Sequence, residues 1–334
     1  MKKILNTPEG YVDDMLSGIY KAHKDMVAPV SDKLRCYHAV KKTPGKVGIV
    51  TGGGSGHLPL FLGYVGQGML DGCAVGGVFQ SPSAEEMYEV TKAVDGGAGV
   101  LYLFGNYSGD ILNFEMAGEL ADMDGIKTCI VVGNDDVASA AKGNESVRRG
   151  VAGIFFMYKC AGAKAEQMAS LEEVKILAEK VGSRVRTMGF ALSPCVIPEV
   201  GHPNFTVGES DISIGMGIHG EPGIRVQSMM TSKEIAQEAL DTILQDMPFQ
   251  PGEQAAVLIN GLGSTPLDEL YILYNDVAQI LEQKGIDVFK VWAGEFATSM
   301  EMAGASISVL RMDEEIKALL SKPAHTPFYS NPQL

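Results

Sequence analysis

Lys46-Val47-Gly48-Ile49-Val50, running into Thr51-Gly52-Gly53-Gly54-Ser55-Gly56-His57, is the stretch that decides the fold. Its first five residues read as a buried strand, and the glycine-rich run reads as a loop leaving the strand's carboxyl end. The same rhythm repeats downstream. Cys73-Ala74-Val75-Gly76-Gly77-Val78-Phe79 predicts a second strand. A helix then starts at a capping box, Ser83 with Glu86, and carries Met87, Val90 and Val94 at helical spacing. Val100–Phe104 predicts a strand, residues 110–122 a helix and Thr128–Val132 a strand. This alternation predicts an α/β fold whose N-terminal sheet is mostly parallel, with helices on both faces.

Further along, Gly153–Met157 predicts a strand, and a helix capped by Ser170 with Glu173 ends at Gly182-Ser183. A boundary there divides the chain into 1–183, with the first glycine loop and Asp110, and 184–334, a second, smaller α/β domain carrying His219. In the latter, strands are expected at Met188–Leu192, Ile212–Met216, Ala256–Asn260, 286–291 and 305–311, with a helix begun by Thr231 and Glu234. Pro248–Glu253 reads as a surface loop, and the tail Lys322–Leu334 is expected to lie along the surface.

The 334 residues accommodate two domains at about 150 residues each. Lys and Arg number 27 against 41 Asp and Glu, a net charge of −14, which argues against a protein that clasps nucleic-acid backbone. No run reaches the roughly 18 apolar residues of a membrane span, and Lys2-Lys3 is not followed by a signal-peptide core. Cys36, Cys73, Cys129, Cys160 and Cys195 are isolated and odd in number, so buried thiols in a reducing cytoplasm are expected rather than disulfides or zinc.

Three segments leaving predicted strands, 51–59, 105–110 and 217–223, are rich in glycine or polar groups, and ligands collect at the carboxyl ends of parallel strands. Nucleotide motifs do not fit them. The first lacks the Gly-Lys-Ser/Thr ending of a P-loop. Gly215, Gly217 and Gly220 match the spacing of a dinucleotide loop, but Glu221-Pro222-Gly223 cannot open a helix smoothly. His57 and His219 close two of these segments. Beside a glycine and within a glycine-rich segment, each is expected to be accessible, either as a base or nucleophile or simply as a hydrogen-bonding partner of its own loop. Asp110 has two readings as well, a helix N-cap or a carboxylate at the sheet's mouth that accepts a hydroxyl proton. Asp135-Asp136 read as solvated turn or cap residues rather than metal ligands, and Trp292 and the methionines as core.

Gly52-Gly53-Gly54-Ser55-Gly56-His57, Asn106-Tyr107-Ser108-Gly109-Asp110-Ile111-Leu112-Asn113-Phe114 and Gly217-Ile218-His219-Gly220-Glu221-Pro222-Gly223 together resemble the dihydroxyacetone kinase family, in its sugar-binding subunit. The resemblance runs from Met1-Lys2-Lys3 through Gly263-Ser264-Thr265-Pro266-Leu267 to Pro323-Ala324-His325-Thr326-Pro327. It implies that His219 binds the carbonyl carbon of dihydroxyacetone as a hemiaminal and that Gly54, Ser55, Gly56 and His57 hold the sugar hydroxyls. Asp110 and His57 would be the acid/base groups. It also implies a cytoplasmic homodimer that binds no cofactor or metal itself. The nucleotide, ADP with Mg²⁺, would sit on a separate kinase subunit recharged by a phosphoenolpyruvate-fed phosphocarrier, because the chain ends where a fused nucleotide domain would begin.

Two positions depart from the family pattern. Gly105 stands where a lysine usually precedes the Asn-Tyr motif, and Leu58 where glutamate usually follows the first histidine. These departures keep two further readings open. One is a kinase subunit for another short ketose such as a tetrulose; the other is a ketose-sensing coactivator of a transcription regulator.

Overall fold

The computed structural model describes residues 2–30, 32–250 and 252–332. The chain divides into two units, Met1–Gly133 with Phe155–Val181 and Glu315–Leu334, and Asn134–Ile154 with Gly182–Glu314. Both units are therefore assembled from separated segments, where the sequence pattern had suggested one division at 183/184.

The first unit is built on a six-stranded sheet of β1 (Val27–Val30), β2 (Lys33–Ala39), β3 (Gly48–Ser55), β4 (Gly72–Val78), β5 (Val100–Gly105) and β6 (Thr128–Gly133). The spatial order is β1-β2-β4-β3-β5-β6. Strands β3 to β6 are mutually parallel, and β1 and β2 add an antiparallel edge. Helices α1 (Tyr11–Ala22), α2 (Ala84–Val94), α3 (Ser108–Met123), α4 (Ile154–Ala165) and α5 (Leu171–Ser183) accompany it. Alternate residues of the strands feed opposite faces. Val50, Ala74, Tyr102 and Phe104 pack with Met87, Val90, Phe114 and Ala117 of α2 and α3. Thr51, on the other face, meets the Tyr158 hydroxyl of α4 at 2.8 Å. The capping boxes at Ser83/Glu86 and Ser170/Glu173 both form.

Residues 153–157 and the tail depart from expectation. Residues 153–157 start the helix α4 rather than a strand. The run is apolar without interruption because α4 is buried on all sides, which erases the 3.6-residue alternation that marks a surface helix. The tail is not a surface strap either. β13 (Ala324–Thr326) and β14 (Tyr329–Asn331) form a hairpin with Ala324, Thr326, Tyr329 and Asn331 buried, and Tyr329 meets the Phe155 ring edge-on at 5.1 Å. The last two residues of that tail, 333 and 334, lie outside the described residues, as do Met1 and Pro251 of the 248–253 loop.

The second unit carries β7 (Val185–Ser193), β8 (Asp211–Ile214), β9 (Arg225–Ser228), β10 (Gln254–Gly261), β11 (Asp287–Glu295) and β12 (Ala303–Arg311) in the order β11-β10-β12-β7-β8-β9. Only β10 and β11 are parallel. Helices α6 (Ser232–Asp246) and α7 (Leu267–Gln283) pack on it through Ile235, Leu240 and Ile243, and through Leu270, Val277 and Leu281. Thr231 and Glu234 form the expected capping box. One ion cluster braces the unit. Buried Arg148 clamps Asp246 with both terminal nitrogens, at 2.9 and 2.7 Å, and Arg186 adds a third contact at 2.5 Å. α8 (Glu314–Leu320) follows and leads back to the first unit.

Candidate functional site

In the first unit the glycine run is strand rather than loop. β3 continues through Ser55, pairing Gly52, Gly53 and Gly54 with Ala74, Val75 and Gly76 of β4. The glycines are there for close approach. A Cβ on Gly53 would lie 2.2 Å from the Phe61 ring, well inside van der Waals contact. The Ser55 hydroxyl donates to the Gly76 carbonyl at 2.9 Å, so its proton is committed to the sheet while its lone pairs stay available as acceptors.

His57 follows at the strand's end. It is 1% exposed, so flanking glycine does not leave it open as expected. Phe79 stacks on its ring, 4.9 Å between centroids and 21° between planes, and Phe61 meets it edge-on at 6.0 Å. Both phenylalanines have positive φ, 56° for Phe79 and 71° for Phe61. Bulky residues rarely adopt it, and such strain gathers at functional sites. No sequence motif marks either aromatic partner.

Asp110 lies beyond the end of β5, the neighbour of β3. It is not the N-cap; Tyr107 is, and Asp110 is a buried residue of the first turn of α3. A carboxylate in a first turn faces the positive end of the helix dipole. His57 and Asp110 thus project from the carboxyl ends of adjacent parallel strands, where such sheets hold ligands.

His219 belongs to the second unit, on the connection between β8 and β9, so its loop joins antiparallel strands and leads into a strand rather than a helix. Its backbone carbonyl accepts from Asn204 Nδ2 at 3.0 Å. Its backbone N–H donates to Glu221 Oε2 at 2.9 Å, and Nδ1 lies 3.0 Å from Glu221 Oε1. One carboxylate therefore grips both the main chain and the ring. With Nδ1 donating to Glu221, the lone pair of a neutral ring resides on Nε2. The side chain is 22% exposed.

Glu221 is strongly acidic. Burial raises its carboxyl, but the hydrogen bond and charge of His219, with the charge of Arg149, outweigh that and hold it down to about 2. Arg149 reaches Glu221 Oε2 at 3.9 Å and lies 2.7 Å from Asp136. Asp135 and Asp136 are thus both buried, contrary to the solvated turn expected of them. Asp135 accepts from the backbone N–H groups of Val151 and Gly153 and from Thr187 Oγ1, fixing the segment that presents Arg149. Glu221, Arg149 and Asp136 are not legible as neighbours in the sequence, where they stand 72 and 13 residues apart. Among the described residues no cluster of three or more His, Cys, Asp or Glu is arranged to hold a metal ion, and no helix is long and apolar enough to cross a membrane.

The sequence matches the Dak1 domain family over residues 17–328. The chain belongs to this family. Among Dak1 relatives, the dihydroxyacetone-binding subunit DhaK of PTS-dependent dihydroxyacetone kinase 1 from Listeria innocua serovar 6a is 47% identical over 315 residues, 94% of this chain and 95% of that subunit. D-erythrulose kinase of Mycolicibacterium smegmatis is 42% identical over 329 residues, 98% of this chain but 56% of the kinase. A solved structure, the dihydroxyacetone kinase operon co-activator DhaQ, superposes with a TM-score of 0.87 at 31% identity, covering 93% of this chain and 96% of the co-activator.

Proposed function

We propose that this chain is the dihydroxyacetone-binding subunit of a phosphotransferase-system-linked dihydroxyacetone kinase, holding the ketose covalently on His219. The observation that carries the reading is the grip of Glu221 on both the backbone N–H and Nδ1 of His219, which aims a nucleophilic Nε2 away from the carboxylate. In the adduct-forming step the Nε2 lone pair bonds to the carbonyl carbon and the carbonyl π pair moves to oxygen. That oxygen takes up a proton and the ring gives one up, leaving a hemiaminal with no net change of charge. Glycerol offers no electrophilic carbon, so capture discriminates by reactivity where pocket shape discriminates little.

In this reading His57 and Asp110 are the acid/base pair for adduct formation and for activating the hydroxyl that accepts the phosphoryl group. The backbone of Gly54 and Gly56 and the lone pairs of Ser55 are the acceptors and donors for sugar hydroxyls. The nucleotide, ADP with Mg²⁺, belongs to a separate subunit recharged through a phosphocarrier, and this chain works as a cytoplasmic homodimer. The 47% identity to the Listeria dihydroxyacetone-binding subunit supports this reading.

Two other readings have specific support. The 42% identity to D-erythrulose kinase favours a tetrulose, and the DhaQ superposition favours a sensor. Gly105 closes β5 with no side chain where the family pattern has a lysine, so this position itself supplies no cation for a phosphate. Reconstitution with a nucleotide subunit, phosphocarrier and phosphoenolpyruvate separates all three. The kinase reading expects dihydroxyacetone phosphate. Turnover only with erythrulose makes the chain a tetrulose kinase, and a stable adduct without turnover makes it a sensor.

A further inference from the structure

The carboxylate that orients His219 creates a difficulty of its own. An anion beside an imidazole favours the imidazolium form, and an imidazolium has no lone pair with which to attack a ketone. Glu221 must therefore orient the ring without charging it. The groups packed around Glu221 show how. Its Oε1 faces the ring, while Oε2 faces Arg149 Nη1 at 3.9 Å.

Arg149 is itself immobilised. Nε donates to Asp136 Oδ2 at 2.9 Å, Nη2 lies 2.7 Å from the same oxygen, and Nη2 donates to the Gly215 carbonyl at 3.0 Å. Asp136 is anchored in turn, its Oδ1 accepting from the Ala138 N–H and its own N–H donating to the Arg149 carbonyl. Gly217 is the floor of this arrangement. A Cβ there would stand 2.3 Å from Glu221 Oε2 and 2.8 Å from Arg149 Nη1, so any side chain would pry the two apart. The other charges nearby are turned elsewhere: Asp135 binds the 151–153 backbone and Thr187, and Arg148 binds Asp246.

We propose that Arg149, fixed by Asp136, is a positioning residue that aims Glu221 at His219 and offsets its charge, so that the ring is held in the Nδ1–H tautomer and stays nucleophilic at neutral pH. This rests on the reading that His219 captures the ketose. Arg149 does not touch the substrate; it acts through Glu221.

The test follows adduct formation against pH, using [2-¹³C]dihydroxyacetone and protein labelled with ¹⁵N-histidine. Arg149→Met leaves Glu221 uncompensated, and the pH at which half the adduct forms rises by about one unit, the size expected when one neighbouring charge is removed. Asp136→Asn frees Arg149 to bear more fully on Glu221, and the midpoint moves the opposite way. Adding Glu221→Gln to Arg149→Met abolishes the upward shift. A merely structural Arg149 lowers yield in both single variants without moving either midpoint, and that result overturns the proposal. Because the two variants shift in opposite senses, either one that folds suffices. If the wild-type protein forms no adduct at any pH, the underlying reading of His219 fails; an adduct whose midpoint ignores both substitutions refutes the role of Arg149 alone.

Discussion

His57 and His219 are the same side chain in opposite surroundings. His57 is sealed between two aromatic rings whose backbones are strained to reach it. His219 is partly open and held by a carboxylate with a guanidinium and a second carboxylate behind it. Stacked rings restrict an imidazole's rotation and exclude water, which suits a group that moves protons over a fixed distance. A charged clamp on one ring nitrogen fixes the tautomer and leaves the other nitrogen for bond formation. The difference teaches that accessibility and charge, rather than residue type, separate the nucleophile from the acid/base group in the proposed reading.

The largest effect is expected where that assignment is broken outright. His219→Ala loses the adduct entirely and with it phosphorylation, read by ¹³C NMR and by a coupled assay for dihydroxyacetone phosphate. His57→Ala keeps an adduct but slows turnover about 10²-fold or more, the range of a lost general acid or base. Retention of adduct in His219→Ala would reverse the roles. Asp110→Asn is expected to behave as His57→Ala does, with adduct present and transfer slowed about 10²-fold. A raised KM with kcat intact would instead make Asp110 a binding group.

A subtler perturbation sharpens the aromatic side of the contrast. Gly53→Ala drives the Phe61 ring from its place, costing about 1–3 kcal/mol as overpacking does, and loosens the ring that abuts His57. Urea unfolding gives the stability, and turnover is expected to fall while the His219 adduct persists.

The smallest effect at neutral pH concerns acid. Asp246 is hydrogen-bonded first by Arg148 and then by Arg186, which hold its carboxyl down to about 2 against its burial. Such a carboxyl contributes stability above its unfolded value of about 3.9, and the contribution is lost as pH falls from there toward 2. Trp292, the only tryptophan, lies buried in the same unit as His219 and reports on it. Its emission is expected to shift to the red between about pH 4 and pH 2. In Asp246→Asn that pH dependence is smaller, Glu221 still contributing to it, and stability at pH 7 is already lower. An unchanged acid profile in the variant contradicts the role given to this ion cluster.

Much of the first sheet was legible because its strands are short apolar runs between glycines, and because Ser83/Glu86, Ser170/Glu173 and Thr231/Glu234 mark helix starts by chemistry alone. Residues 153–157 were not, since a helix buried on every side has no polar face to reveal its period. Helix α7 has a clear apolar stripe at Leu270, Leu273, Val277, Ile280 and Leu281, a signal legible in the sequence. His57, Asp110 and His219 stood out as candidates by their motifs. Their partners did not: Phe79 and Phe61 matter through backbone strain and ring contact, and Arg149 and Asp136 through charges that only folding brings to Glu221. The acidic pair at 135–136 was misjudged because its counter-charge and hydrogen bonds come from residues 149–153 and 187.

The central claim is a bond between Nε2 of His219 and the carbonyl carbon of a short ketose. One-bond ¹³C–¹⁵N coupling in ¹⁵N-histidine protein mixed with [2-¹³C]dihydroxyacetone tests it most directly. The expected spectrum shows the ketone carbon converted to a tetrahedral carbon coupled to a single histidine nitrogen, absent in His219→Ala. A spectrum holding only free ketone and its hydrate, or a coupling that survives in His219→Ala, contradicts it.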